Sequence, residues 1–348
     1  MTRLAAGLSP FRLRFHRTLR SAHETWQERT GTFLWVRDRS GRRGFGEISP
    51  LRGHSLDTEH ESCRALELLM ADQIPEFDTL ESLEHWLDQQ SLPASARSAL
   101  EAAWLDLLAQ HQAVPVHRLF PAPSQETIRL AAWIDPLDAF ARDRLERWIA
   151  DGLAAVKLKL DRPALSPAQR ELLDQIRGRV SIRLDANEAF DAAQLGQLVE
   201  QLRDQPIEFI EQPLPRGRVS ELPRDLPVAI AVDEELATSH GIEAALNHPA
   251  VSVLVLKPQL LGGIIPSRRL AERARAAGKH VVVTHMLEAV VGHATACELA
   301  LSLSTAPRAC GLWPVPAEDC GIAPDGAAQI YGTVLRRGGY VGLGAGPE

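Results

Sequence analysis

Five charged residues punctuate this chain at near-even intervals: Lys159, Asp185, Glu211, Asp233 and Lys257, in steps of 26, 26, 22 and 24 residues. Each lies at or near the end of a short apolar run: AAVKLKL, VSIRLDAN, IEFIEQP, VAIAVDEE and VSVLVLKP. Such runs read as buried strands, and the interval has room for one strand, one helix and two loops. A parallel barrel gathers the C-terminal ends of its strands at one rim. The pattern therefore predicts three carboxylates meeting there with a lysine on either side. That is a site for a hard divalent cation flanked by two acid/base groups.

The rest of the chain agrees with a barrel preceded by a different domain. Residues 10–20 and 31–38 alternate as strands do, a turn follows at 40–44, and FGEIS completes a small antiparallel meander. Thr58 and Glu61 form a capping box ahead of CRALELLM, and a second helix is expected over 94–111. From residue 126 onward, apolar runs recur near 128–134, 153–160, 180–185, 207–211, 228–233, 251–257, 280–284 and 309–313. Eight runs is the count for a barrel. Helices are expected between them over 137–150, 166–177, 191–203, 239–246, 264–277 and 292–303. The expected division is a capping domain with a substrate lid loop over 1–122, a barrel over 123–320, and a segment over 321–348 that packs back on the cap.

Composition removes several function classes. A formal charge of −7 argues against nucleic acid, which calls for a basic face. Four scattered cysteines without a CxxC pair argue for reduced thiols in a cytoplasmic protein. No run approaches the roughly 20 apolar residues that span a bilayer. The N-terminus is basic but lacks the continuous apolar stretch of a signal peptide. A soluble protein acting on a small carboxylate is expected.

Particular residues carry alternatives. Lys157 and Lys159 share one face of their strand. On an edge they are solvated. Inside a barrel, desolvation and mutual repulsion favour loss of a proton, which makes a base. Asp185, Glu211 and Asp233 each cap a helix singly or hold Mg²⁺ together. Arg183 either pairs with a carboxylate or binds an anionic substrate. His285 lies at the expected rim, His293 reads as helical and structural, and Trp35 and Trp313 are candidates for a pocket wall.

The ordered set GEISPL (46–51), KLK (157–159), LDAN (184–187), IEQPL (210–214), VDEEL (232–236) and LKPQLLGG (256–263) resembles the enolase superfamily, in the branch of muconate cycloisomerase and o-succinylbenzoate synthase. The resemblance implies an enolase-like α/β fold, a modified TIM barrel (β/α)7β with an N-terminal α+β capping domain. It implies Asp185, Glu211 and Asp233 as Mg²⁺ ligands, with Lys159 and Lys257 facing each other across a small-molecule carboxylate. Lys157, Arg183, Asn187, Thr284, His285 and Glu288 are the substrate contacts it suggests, and residues 17–31, including ERTG, match the family's mobile lid. The branch often forms dimers or octamers.

Within that branch GFGEISPLRGHS and Arg183 are similar to o-succinylbenzoate synthases, Mg²⁺-dependent lyases of menaquinone biosynthesis. Those synthases carry serines where this chain has Thr284, His285 and Met286. Dipeptide epimerases show an Asp-x-Asp near the last strand, whereas this chain has Glu318-Asp319. An epimerase or N-acylamino acid racemase is the alternative, with a muconate-type cycloisomerase third and a non-catalytic binding barrel as the reading of another class.

Overall fold

The computed structural model describes residues 5–20, 25–71, 74–121, 124–134, 139–160, 162–313, 317–318, 329–331, 333–336 and 341–345. Strand β1 (Ala5–Arg20) pairs antiparallel with β2 (Thr25–Arg37), and β2 pairs with β3 (Arg43–Ile48). The first two strands are longer than their alternation suggested. ERTG, expected in a lid loop, lies inside β2, with Arg29 opposite Leu13 and Gly31 opposite Phe11. Arg29 is buried, and its guanidinium donates to the carbonyls of Ser49 and Pro50. A guanidinium needs such partners when buried, so ERTG belongs to the body of a hairpin. Residues 21–24 at its tip lie outside the described residues.

Helix α1 (Glu59–Ala71) starts at the expected capping box. The Thr58 amide donates to Glu61 at 2.8 Å, and the Glu61 amide donates to Thr58 Oγ1 at 3.2 Å. Helix α2 (Leu80–Asp88) leads into α3 (Ala94–Gln112), which is buried almost all round between the meander and the barrel. The glycines of GFGE explain that contact. A methyl group at Gly44 or Gly46 would overlap the α3 carbonyls of Ala103 and Ala99.

After β4 (Thr127–Arg129), β5 (Ala131–Ile134) opens the alternation. It continues through α4 (Ala139–Ala150), β6 (Ala155–Lys159), α5 (Pro167–Ile176), β7 (Ser181–Asp185), α6 (Ala192–Gln201), β8 (Ile207–Glu211) and β9 (Ile230–Val232). Then come α7 (Ser239–Asn247), β10 (Val251–Leu256), the short α8 (Pro258–Leu261), α9 (Ile264–Ala276), β11 (His280–Val283) and α10 (Val290–Ser302). Strands β5 to β11 form one parallel sheet in sequence order.

The eighth apolar run, near 309–313, forms no strand of its own, yet it closes the ring. Cys310 bridges Leu130 and Gly311 bridges Thr284. The Ala131 amide donates to the Cys310 carbonyl at 2.8 Å, and the Gly311 amide donates to Val283 at 3.0 Å. Pro307 precedes this run and cannot donate to a ladder. The architecture is a modified TIM barrel with an N-terminal cap.

Phe209, Ala231, Val253, Val255 and Val282 fill part of the barrel interior with apolar atoms. The chain's end returns to earlier elements. Strand β12 (Ala317–Glu318) pairs with β1, and β13 (Gln329–Tyr331) and β14 (Val334–Arg336) extend from β4. The Leu343 amide donates to Asp106 on α3 at 2.9 Å. Asp319 lies outside the described residues. Among the described residues no helix is long and apolar enough to cross a membrane.

Candidate active site

Strand register places the charged residues. Lys159 pairs with Asp185, Asp185 with Glu211, and Glu211 with Ala231, so the ends of β6, β7 and β8 stand in one row. Asp233 follows β9 by one residue, and Lys257 follows β10 by one. One level below, Trp133, Lys157, Arg183 and Phe209 form a second row. A cavity of about 360 Å³ opens over both rows, and Lys157, Lys159, Asp185, Glu211, Asp233 and Lys257 all line it. The hairpin of β1 and β2 covers its mouth with Leu19 and Trp26, which pack near Trp133 and Leu287.

The three carboxylates are buried and share their charge with two lysines. Lys157 Nζ lies 2.9 Å from Asp185 Oδ2 and 3.2 Å from Glu211 Oε1. Burial alone would lower the Lys157 pKa, but Asp185, Glu211 and Asp233 outweigh it and raise it. For Lys157 this reverses the expectation of a lost proton, because Asp185 and Glu211 are nearer than that expectation allowed. Lys257 Nζ donates to Asp233 Oδ2 at 2.5 Å, and Asp233 and Glu234 likewise raise its pKa against burial. Glu211 is pushed up to about 7 by burial and by Asp185 and Asp233, against the pull of Lys157 and Lys257.

This donor set suits a hard divalent cation. All three acids offer oxygen, and Asp233 Oδ1 is buried without a hydrogen-bond partner among the described residues. Crowded acids raise one another's pKa, and a cation among them relieves that repulsion. Among the described residues the tightest acidic group is a different one: ligand atoms of His54, Asp233 and Glu234 lie within 4.8 Å of one another. The trio Asp185, Glu211 and Asp233 is more open than that.

Lys159 has its own setting. Its Nζ donates to Asn187 Oδ1 at 2.6 Å, Asn187 Nδ2 donates to Glu234 Oε1 at 3.3 Å, and His54 Nδ1 lies 3.2 Å from the same Glu234 oxygen. Asn187 adopts a left-handed φ of 40°, which asparagine tolerates better than most residues. His54 belongs to the cap, and Arg216 anchors its loop by donating to the His54 and Gly53 carbonyls at 3.0 and 2.8 Å. A connected path thus runs from the cap to Lys159. Sequence reasoning missed His54, which sits in a loop without periodicity. It also passed over Glu234 and Gln212. Gln212 Oε1 accepts the amides of Asp233 and Glu235 at 2.9 and 3.2 Å and shapes that turn.

The suggested substrate contacts divide. Lys157, Asn187, Thr284 and His285 line the cavity. Arg183 also borders it, but its Nε donates to Glu208 at 2.7 Å, its Nη1 donates to the Ala309 carbonyl at 2.6 Å, and it lies over Phe209. Of its two alternatives, the carboxylate pair is the one formed. Glu288 is absent from the described lining. It is buried, accepts the Met286 amide and lies 3.4 Å from His285 Nδ1, so it braces the wall from behind. His285 Nε2 donates to the Trp313 carbonyl at 2.9 Å, while its Nδ1 accepts the Leu287 amide at 3.2 Å. That pairing assigns the Nε2–H tautomer.

His293 is structural: its Nε2 donates to the Leu312 carbonyl at 2.8 Å, and burial pushes its pKa down to about 4. Trp313 lines the cavity. Trp35 does not; it packs against Gly7 with Arg37 and Arg43 over its ring.

Fold and cavity together define a capped α/β-barrel enzyme. A family model described as Enolase C-terminal domain-like matches residues 140–344, and the chain belongs to the enolase superfamily. It is 31% identical over 301 residues to an L-Lys-D/L-Arg epimerase of Methylococcus capsulatus, covering 82% of this chain and 83% of that one. It is 29% identical over 321 residues to an o-succinylbenzoate synthase of Desulfotalea psychrophila, covering 79% and 84%. A solved dipeptide epimerase from Methylococcus capsulatus, complexed with Mg and the dipeptide L-Arg-D-Lys, superposes with a TM-score of 0.82 at 26% identity, covering 98% of this chain and 99% of that chain. Relatives' names span lyases and isomerases, so membership defines the superfamily and leaves the subfamily open.

Proposed function

We propose that this chain removes a proton α to a carboxylate in a Mg²⁺-dependent reaction, and that its reaction is dehydration of a cyclohexadiene carboxylate to o-succinylbenzoate, in menaquinone biosynthesis. The observation that carries this reading is the single cavity lined by Lys159, Lys257 and three carboxylates. Asp185, Glu211 and Asp233 are the proposed metal ligands. A divalent cation bound by them supplies positive charge for the substrate carboxylate and for the charge that develops when its α-proton leaves.

Lys159 is the proposed base. Asn187 accepts one of its N–H bonds at 2.6 Å and so restricts where the amine points. In the elimination Lys159 takes the α-proton, the C–O bond breaks as the new C=C forms, and the same ammonium returns its proton to the departing hydroxyl. Water leaves from the face on which the proton was taken. Lys257, held charged beside Asp233, stays protonated and stabilises the developing negative charge. Lys157 remains a cation between Asp185 and Glu211.

One observation favours a second reading. Lys159 and Lys257 line the cavity from strands separated by three others. A racemase or epimerase uses that arrangement directly, one lysine removing the proton and the other returning one to the opposite face. Incubation with Mg²⁺ and the cyclohexadiene substrate decides between them. The expected result is an absorbance change as the aromatic product forms, lost on chelation and in Lys159→Ala. No absorbance change, together with α-proton exchange and inversion of N-acyl amino acids or dipeptides in deuterated water, overturns the synthase in favour of the isomerase.

A further inference from the structure

The cap brings to the barrel's carboxylates an imidazole that the barrel itself does not supply there. His54 lies in the loop between β3 and α1, and Asp233 and Glu234 follow β9. One ligand atom from each of the three lies within 4.8 Å of the others. All three residues are buried, and each has an atom with no hydrogen-bond partner among the described residues: His54 Nδ1, Asp233 Oδ1 and Glu234 Oε2. A buried polar atom left unpaired loses its water without compensation, so three in one cluster call for a shared occupant.

The other atoms of the cluster are held in place. Asp233 Oδ2 accepts from Lys257 Nζ at 2.5 Å, and Glu234 Oε1 accepts from Asn187 Nδ2 at 3.3 Å. The Asp233 amide donates to Gln212 Oε1 at 2.9 Å, and Arg216 Nη1 donates to the His54 carbonyl at 3.0 Å. Each carboxylate is thus oriented through one oxygen and leaves the other open, as outer partners orient a metal ligand. Carboxylate oxygens accept, and so does Nδ1 when the ring proton sits on Nε2. Three converging acceptors select a cation. The donor set also selects which one. Mg²⁺ takes oxygen, whereas an imidazole nitrogen beside two carboxylates suits Zn²⁺ and similar transition ions, with a water completing the shell.

We propose that His54, Asp233 and Glu234 form a second cation site, selective for a transition ion of the Zn²⁺ class, and that its occupation withdraws Asp233 from the Mg²⁺ trio. Lys257 holds Asp233 Oδ2, so the two ions compete for Oδ1. Zn²⁺ is then an inhibitor and not the cofactor. That exclusion rests on the Mg²⁺ ligands proposed above; the site itself stands without them. His54 also lines the cavity, so the ion joins cap and barrel beside the reacting groups.

Calorimetric titration of the metal-stripped full chain with Zn²⁺ and, separately, with Mg²⁺ tests both halves. His54→Ala is expected to weaken Zn²⁺ binding by about a hundredfold or more, since loss of an outer partner alone costs about 10- to 100-fold. Its Mg²⁺ affinity should change by less than about threefold, because the oxygen ligands remain. Asp185→Asn should do the reverse. A His54 that only supports the fold would lower both affinities together. Should His54→Ala lose its fold by circular dichroism, Glu234→Gln repeats the comparison. The Co²⁺-loaded wild-type chain gives a further readout: nitrogen and oxygen donors produce visible d–d bands without the near-ultraviolet charge-transfer band of a thiolate ligand. Mg²⁺ at about ten times its Kd should weaken Zn²⁺ binding about tenfold by competition. No Zn²⁺ binding, a Zn²⁺ affinity unmoved by His54→Ala, equal loss of both metals, or a thiolate band overturns the site. A Zn²⁺ affinity unmoved by Mg²⁺ overturns the exclusion and keeps the site. A Mg²⁺ affinity unmoved by Asp185→Asn removes the Mg²⁺ trio and keeps the site.

Discussion

Lys159 and Lys257 reach the cavity from different strands, so their roles can be tested separately. Lys257 donates to Asp233, while Lys159 donates to the neutral amide of Asn187. Lys159→Ala and Lys257→Ala are each expected to lower kcat by about 10²- to 10⁴-fold with the fold intact, measured by steady-state kinetics and circular dichroism. A racemase should retain exchange of one substrate enantiomer in each variant, whereas the synthase should lose all exchange in Lys159→Ala. The path through Glu234 to His54 makes a separate prediction. Glu234→Gln and His54→Ala are expected to lower kcat by about tenfold, the usual scale for groups that orient a reactive side chain. KM should change little in Glu234→Gln, since Glu234 is not among the described residues that line the cavity. A loss confined to KM would show that the path does not position Lys159.

At the scale of elements, buried carboxylates of the cap hold the barrel's helices. Glu101 of α3 accepts the Ile265 amide at 3.0 Å in the first turn of α9. Glu47 of β3 accepts the amides of Ala289 and Gly292 at 2.8 and 2.7 Å, at the start of α10. Helix N-termini favour negative charge, but here burial outweighs that preference. Burial raises Glu101 from 4.5 to about 7 against the pull of Arg97, and burial with Glu288 does the same to Glu47. A carboxylate whose folded pKa is raised adds stability that is complete below its unfolded value and is lost as pH rises through the folded one. Stability is thus expected to fall between about pH 4.5 and about pH 7 from these two groups, and Glu101→Gln should flatten that slope in denaturant titrations. Gly46→Ala tests the same seam by sterics. The added methyl group meets the Ala99 carbonyl, and overpacking of this kind costs about 1–3 kcal/mol, read as a lower denaturation midpoint.

For the molecule as a whole, the cavity belongs to cap and barrel together. Leu19, Trp26, Leu51 and His54 come from the cap and the charged rows from the barrel. A metal that binds only the folded state stabilises the whole assembly by mass action, about 2.7 kcal/mol at a hundred times its Kd. Mg²⁺ is therefore expected to raise Tm in a concentration-dependent way, and EDTA to reverse it. Asp233→Asn should abolish the shift, because it removes a charge from the proposed ligand set. A Tm indifferent to Mg²⁺ in the wild-type protein would remove the metal from the mechanism.

The beat of apolar runs was enough to place seven strands, because a buried parallel strand must be apolar on both faces and needs a helix to return. The charges ending those runs marked the rim for the same reason: a lone buried charge is too costly to sit there without partners. The six expected helices lie within two residues of their observed bounds, since amphipathic spacing is local information. Pairing is not local. Arg183 and Glu208 lie 25 residues apart and meet only when β7 and β8 align, so sequence left Arg183 between two fates. Lys157 reads as a base beside Lys159 until the register sets Asp185 and Glu211 around it. His54 carries no periodic signal at all, and the meeting of Trp148 with Trp313 joins runs that are each legible alone. Ring closure and the docking of the cap brought them to one cavity, through contacts between residues far apart in the chain.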